Sequence, residues 1–222
     1  EGSFKNCTKL EEVEIVIKGS KRSLKYIKKD AFLNCSSLKS IIIPSSVTII
    51  YENAFMNCSN LEKVKINDEL DGKNGIKMIQ KNAFKNCTSL SSFNLPKSCF
   101  FIGPSCFMNC TSLQTFQCEG PNLKNIPCRS FYNCSSLTKF EMKCPQIDDD
   151  TNNYEEEQEF EENNFSHKSY EYKYQEILDE NDPFYYIRNH KHEDKPRKFS
   201  IMQEAFMNCS KLEEIIIEDQ NK

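Results

Sequence analysis

The sequence predicts a repeat solenoid of the α/β type, with a parallel sheet of about seven short strands and mostly irregular or short helical return segments. Three observations predict this fold class. A short motif recurs along the chain, an alternating apolar segment follows every copy, and a further apolar position precedes most copies. A single unit of this kind cannot bury its apolar face alone, so neighbouring units must stack to form a continuous core.

The recurring motif is Phe-x-Asn-Cys-Ser/Thr-x-Leu, and it occurs seven times. The intervals between successive copies are 28, 23, 29, 23, 24 and 75. The shortest interval is the basic period, and a fixed period of about 20–29 residues with recurring leucine is typical of leucine-rich repeats. The copies begin at Phe4, Phe32, Phe55, Phe84, Phe107, Phe131 and Phe206.

Each motif leads into a predicted β-strand. After the motif leucine Leu38, for example, Ile41 and Ile43 stand two residues apart, which places both side chains on one face of a strand. A second apolar element closes the coil, with an isoleucine such as Ile27 four residues ahead of a small residue and the next phenylalanine. One coil is therefore a strand, a corner, a return segment and another corner.

The pattern in residues Ala31 to Ser46 resembles the BspA-like, treponemal-type leucine-rich repeat family, and the resemblance covers residues 4–142 and 199–217. Members of that family occur in anaerobic bacteria and parasitic protists, where many are implicated as surface or secreted adhesins. The resemblance implies a curved solenoid that binds a protein ligand, from a host or from the chain itself. It favours the cell surface or the exterior, while a cytoplasmic location stays open.

All additional length falls at one corner of the coil, which divides the chain into repeats 1–6 at residues 1–144, an insertion at 145–197, and repeat 7 at 198–222. The insertion has 16 acidic and 6 basic residues, and such charge favours a disordered, solvated loop. Apolar residues at helical spacing indicate instead a short amphipathic helix around 168–179. The insertion is interpreted either as a binding arm or as low-complexity filler.

Seven of the twelve cysteines occupy the motif position, and we expect them to form a column of small buried side chains. Equivalent side chains in stacked coils point in parallel, which disfavours disulfides between them. No Cys-x-x-Cys pair is present, so neither a metal site nor a cofactor is predicted. The motif is formally an Asn-Cys-Ser/Thr glycosylation acceptor, but we expect its amide and hydroxyl groups to bond the turn backbone. Asn164 lies outside the motif and is the candidate glycosylation site.

Sequence signatures of enzymes are absent. The chain has six glycines, no phosphate-cradling loop and no Gly-x-Ser-x-Gly motif, and its three histidines all lie in the insertion. The net charge of −4 and the scattered basic residues argue against nucleic acid. No apolar stretch approaches the roughly 20 residues that direct membrane insertion requires. We therefore predict a binding protein and not an enzyme, with an unknown oligomeric state.

The candidate binding residues are outward positions of the predicted strands. Two hypotheses remain for what they serve: recognition or adhesion at a cell surface, or an intracellular scaffold domain of a larger protein. The candidates are Lys39, Ile42, Lys63, Lys65, Ser92, Asn94, Thr115, Gln117, Lys139 and Glu141.

Overall fold

The computed structural model describes residues 1–15, 24–67, 75–118, 123, 125–143 and 200–218. These residues belong to one compact unit, which comprises Glu1–Gln146 and Arg197–Lys222. The second unit, Ile147–Pro196, lies outside the described residues. The expectations for the acidic insertion, including a helix around 168–179 and a glycan at Asn164, fall in that part and stay predictions.

The described residues form thirteen β-strands in two alternating series. The first series follows the motif of each coil and consists of β1 (Glu12–Val13), β3 (Ser40–Ile43), β5 (Lys63–Ile66), β7 (Ser92–Leu95), β9 (Thr115–Cys118), β11 (Lys139–Lys143) and β13 (Glu214–Glu218). The second series, the return strands, consists of β2 (Tyr26–Ile27), β4 (Ile49–Ile50), β6 (Met78–Ile79), β8 (Phe101–Ile102), β10 (Asn125–Ile126) and β12 (Ser200–Ile201).

The strands of each series pair in parallel with the strand of the neighbouring repeat. Ser40 pairs with Lys63 in the next coil, and Lys139 pairs with Glu214 on the far side of the insertion. The first series forms a three-stranded sheet, β1-β3-β5, and a four-stranded sheet, β7-β9-β11-β13. The predicted parallel sheet is thus confirmed, with an interruption between β5 and β7.

The return segments are short strands and turns. The return strands form the sheets β2-β4-β6-β8 and β10-β12, and no helix occurs in the described part of the chain. The sequence predicted mostly irregular or short helical return segments; the described ones combine short strands with turns, and none is helical. Two positions per coil explain this, because each takes a left-handed backbone conformation that an α-helix cannot contain; in one coil they are Asn53 and Asn57, with φ of 55° and 63°.

The core lies between the two strand series. Side chains of β3 and β7 alternate between exposed and buried, so every second residue enters the core. The motif phenylalanines form one continuous stack of seven rings, with centroids 5.1–5.5 Å apart and planes within 6° of parallel. Phe93, Phe116 and Phe140 form a second stack that meets the first edge-on, as in the Phe93–Phe107 pair at 4.8 Å. Such ring pairs add about 0.5–1.5 kcal/mol each beyond the burial of their area.

The motif asparagine holds neighbouring coils together at the turn. Its φ lies between 60° and 63° in all seven copies, a conformation that asparagine tolerates better than most residues. The Nδ2 of Asn86 donates to Oδ1 of Asn57 at 2.7 Å, and the Nδ2 of Asn109 donates to Oδ1 of Asn86 at 2.8 Å. Five such bonds join the copies from Asn6 to Asn133.

The partner of this amide differs from the one expected. The sequence suggested a bond to the turn backbone, but the amide bonds the equivalent asparagine of the preceding coil. The motif hydroxyl does bond backbone, since Oγ1 of Thr88 donates to the carbonyl oxygen of Ser59 at 3.1 Å. That carbonyl also belongs to the preceding coil, so both groups stabilise stacking and not only the turn.

Gly103 marks a close approach between two return segments. Its backbone N–H donates to the carbonyl oxygen of Ile79 at 2.7 Å. A Cβ atom added at Gly103 would lie 2.3 Å from the backbone nitrogen of Lys81 and 2.7 Å from the carbonyl carbon of Gln80. Because backbone atoms cannot move aside as a flexible side chain does, only glycine fits at this position.

We therefore expect Gly103→Ala to destabilise the protein by about 1–3 kcal/mol or more, since the added methyl group forces two coils apart. Urea denaturation measures the change. Gly2→Ala is the control, because a Cβ there meets nothing closer than Lys5 Cβ at 3.6 Å and adds only the strain of a φ of 62°. Equal losses in the two variants would contradict the close approach at Gly103.

Substitutions at Asn86 test the hydrogen bonds between motif asparagines of neighbouring coils. Asn86→Ala should lower the free energy of unfolding by about 2–3 kcal/mol, because it removes two hydrogen bonds. Alanine also tolerates a φ of 62° less well than asparagine, whose polar side chain can bond locally. Asn86→Gly loses the same bonds without the strain, so it should be about 1 kcal/mol more stable than the alanine variant. Asn94→Ala on the exposed strand surface is the control, with an expected change within about 0.5 kcal/mol. Equal stability of the Ala and Gly variants, measured in urea, would contradict the conformational argument.

Candidate binding face and cysteine column

The outward side chains of the first strand series form two rows across the coils. We call these rows the strand face. Strand pairing sets which residues stand side by side, and the Ser91 N–H, which donates to the carbonyl oxygen of Glu62 at 3.4 Å, carries the alignment from β5 to β7. The first row is Ser40, Lys63, Ser92, Thr115 and Lys139, and the second is Ile42, Lys65, Asn94, Gln117 and Glu141. Nine of the ten candidate residues from the sequence therefore stand in these rows.

Lys39 is the exception. It lies one residue before β3, and Ser40 takes the position that pairs with Lys63. The Lys39 ammonium instead bonds the carboxylate of Glu11 at 2.7 Å, which raises the lysine pKa and lowers the glutamate pKa. Ser40 is also an outward position of the predicted strand, although it is not among the ten candidates. Counting back from the inward Ile41 is the signal that finds it.

The middle of the strand face is uncharged. Ser92 and Asn94 on β7 adjoin Thr115 and Gln117 on β9. Hydroxyl and amide groups can donate and accept hydrogen bonds without the desolvation cost of a charge. This part of the surface therefore presents hydrogen-bonding groups without charge.

Lys139 on β11 forms ion pairs with neighbouring carboxylates. The Lys139 ammonium lies 3.0 Å from the Glu141 carboxylate and 3.8 Å from that of Glu214, and these contacts raise the lysine pKa. The Nε2 of Gln117 also donates to Glu141 at 2.9 Å. Exposed pairs of this kind contribute little to stability, about 0–1 kcal/mol each, but they leave no net charge at Lys139 and Glu141.

The lysines of β5 differ. Lys63 and Lys65 are both exposed, and neither makes an ion pair with any residue that the structure describes. Beside them on β3, Ile42 pairs in register with Lys65 and exposes 48% of its surface. Two ammonium groups on β5 and an apolar side chain on β3 therefore stand together on the strand face.

The motif cysteines form the expected column, which is buried from Cys35 to Cys134 and partly exposed at Cys7 and Cys209. The Cys58 thiol donates to the carbonyl oxygen of Phe32 at 3.2 Å, and the Cys87 thiol donates to that of Phe55 at 3.2 Å. All eleven cysteines in the described ranges are free thiols. Burial raises the pKa of Cys58 to about 12 and raises that of Cys87 well above its ordinary value. A thiol that stays protonated is a poor nucleophile and a poor metal ligand.

Metal binding and membrane crossing can be examined in the described residues. Within the described residues, no group of three or more His, Cys, Asp or Glu side chains could hold a metal ion. The same part of the chain contains no helix long and apolar enough to cross a bilayer.

A family model for the BspA type leucine rich repeat region matches the chain in six copies, over residues 1–73, 69–151 and 150–222. The chain belongs to the BspA-type leucine-rich repeat family. Such repeats are generally binding modules without catalytic activity, and they interact with proteins. No curated protein matches this BspA-type chain at a significant level.

Three solved structures are similar to this chain over part or all of its length. A leucine-rich repeat protein of T. pallidum is 25% identical over 55% of this chain and 66% of its own, with a TM-score of 0.40. One from Bacteroides ovatus is 26% identical over 60% of this chain and 38% of its own, with a TM-score of 0.39. A leucine-rich cell surface protein of Faecalibacterium prausnitzii is 18% identical over 100% of this chain and 62% of its own, with a TM-score of 0.39. The BspA-type chain thus spans less than two thirds of each of these proteins.

The cysteine column predicts alkaline instability. The folded pKa of Cys58 is raised from 9.0 to about 12, so its stabilising contribution is complete below pH 9 and is lost as pH rises from 9 to 12. Between pH 9 and 12, the unfolding free energy of Cys58→Ala should therefore fall by about 1.4 kcal/mol per pH unit less than that of the wild type. Urea titrations at several pH values measure this slope.

The control is Ser130→Ala, which removes a buried hydroxyl that does not titrate in this range. It should lower stability at every pH and leave the slope unchanged. A slope that is the same in Cys58→Ala and the wild type would show that the Cys58 thiol ionises freely in the folded protein.

Proposed function

We propose that this chain is a non-enzymatic recognition module that binds a protein ligand through the strand face, and that it serves adhesion at a cell surface. The observation that carries the proposal is the uncharged, hydrogen-bonding centre of the strand face, formed by Ser92, Asn94, Thr115 and Gln117. These side chains project from paired strands, so the ligand meets donors and acceptors that are already held in place. Preorganisation of this kind reduces the entropy lost on binding.

The proteins of the family support the binding part of the proposal, because their repeats generally interact with proteins. The adhesive part and the cell-surface location rest on the resemblance to surface and secreted members of the family. An intracellular scaffold is the alternative, and the binding test is designed to separate the two. A scaffold ligand is an intracellular protein, so a scaffold would attach to no intact cell and to no second copy.

The test uses beads coated with the full chain, and it counts attachment to cultured epithelial cells and clustering of the beads with one another. Asn94→Arg combined with Thr115→Arg should reduce either attachment to cells or clustering of the beads at least about fivefold, because two long cationic side chains block the centre of the strand face. The control is Ser3→Arg with Asn60→Arg, which adds the same charge at exposed positions outside the strand face.

Attachment that survives protease treatment of the cells, or an equal effect of both double variants, would contradict recognition of a protein by the strand face. Wild-type beads that neither attach nor cluster would contradict adhesion. Retained unfolding free energy in all variants, measured in urea, separates lost binding from lost folding.

A further inference from the structure

Lys63 and Lys65 on β5 form no ion pair with any described residue. Lys63 and Lys65 occupy both outward positions of the strand. Their neighbours in the two rows are uncharged: Ser40 and Ile42 stand on one side, and Ser92 and Asn94 follow beyond β5. Glu62 directly precedes the pair, but it forms no ion pair with either lysine.

The other lysines beside the strand face contrast with this pair. Lys39 is bonded to Glu11 at 2.7 Å, and Lys139 lies 3.0 Å from Glu141. The described part of the chain therefore supplies carboxylates for the lysines on either side and none for the two on β5. Unpaired exposed charges do not by themselves define a site, but two on one strand with a fixed spacing define a geometry that a ligand can match.

The spacing suits an extended chain. Alternate residues of a strand point to the same side and lie about 6.6 Å apart. A ligand segment in extended conformation repeats its own side chains at the same distance, so carboxylates two residues apart can reach both ammonium groups together. Ile42, 48% exposed and in register with Lys65, adds an apolar contact beside the second ion pair.

We propose that the part of the strand face formed by β3 and β5 binds an extended acidic segment of a partner protein, with two carboxylates on Lys63 and Lys65 and an apolar side chain on Ile42. This inference rests on the proposed function and adds the chemistry of the partner. A nucleic acid fits less well, because its phosphates require a longer basic track than two lysines followed by the neutral Ser92 and Asn94.

The experiment uses the full chain and a fluorescent heptapeptide, acetyl-Ser-Leu-Ser-Glu-Ser-Glu-Gly-amide, whose leucine and two glutamates point to one side of an extended chain, with anisotropy as the readout at 50 mM salt. Lys63→Gln with Lys65→Gln should weaken binding about 2–30-fold, which corresponds to two exposed ion pairs. Raising the salt to 500 mM should weaken the wild type and leave the double variant nearly unchanged. Adding Ile42→Ser to the double lysine variant should weaken peptide binding further.

The matched control is Lys9→Gln with Lys211→Gln, which removes two exposed lysines from turn positions outside the strand face, neither of them ion-paired to a described residue. This control should bind as the wild type does. A peptide in which glutamine replaces both glutamates should bind as weakly to the wild type as the acidic peptide binds to the Lys63/Lys65 variant.

Three outcomes would overturn the inference. One is equal weakening by the control and the lysine-pair variant, and another is stronger binding of a heptathymidylate than of the acidic peptide. The third is a dimer in sedimentation experiments that the Lys63/Lys65 variant abolishes, which would make a second copy the occupant. If the Asn94/Thr115 variant loses attachment while the Lys63/Lys65 variant keeps it, only this inference fails; if both keep it, the proposed function fails too.

Discussion

The hydrogen bonds between coils at the Phe-x-Asn-Cys turn are the constraint on which the rest of this solenoid depends. At each turn the phenylalanine N–H donates to the next coil, as from Phe55 to the carbonyl oxygen of Ala83 at 2.8 Å. The asparagine N–H does the same, the asparagine amide bonds the preceding coil, and the cysteine thiol bonds the preceding phenylalanine carbonyl. Polar groups that would be stranded beside the core are thereby satisfied, and the Phe rings can stack within 5.5 Å along the whole solenoid.

Because this turn admits no change of length, the strands after it keep their register whatever happens elsewhere in the coil. Glu12 pairs with Ser40, and Lys139 pairs with Glu214 in the same manner although the insertion separates them in sequence. Additional residues enter only between a strand and the next return strand, where loop extension costs little entropy. The strand face is therefore continuous across coils of unequal length, apart from the interruption between β5 and β7. Function can vary in the outward residues without disturbing the core.

The electrostatics of the strand face follow from that register. Columns of side chains stand about 4.8 Å apart, close enough for charges on adjacent coils to pair. Lys139 and Glu214 are examples, and the Gln117–Glu141 bond extends the network towards the neutral centre. Lys63 and Lys65 have uncharged neighbours on β3 and β7, and they form no ion pair with a described residue. Membership of the family indicates a protein-interaction module, and the proposed preference for an acidic partner depends on the charges of these particular residues.

The sequence by itself determined the repeat, the position of every long strand and the buried stack of phenylalanines and cysteines, because the constant motif spacing and the alternating apolar positions encode them locally. Only the tertiary structure decided that the asparagine amide bonds the preceding coil, and that β5 and β7 do not join into one sheet. It also decided which charges are paired: Lys39 bonds Glu11 beside the strand face, while Lys63 has no such partner among the described residues. These features depend on distances between residues of different coils, and those distances are set by stacking, which no single repeat contains.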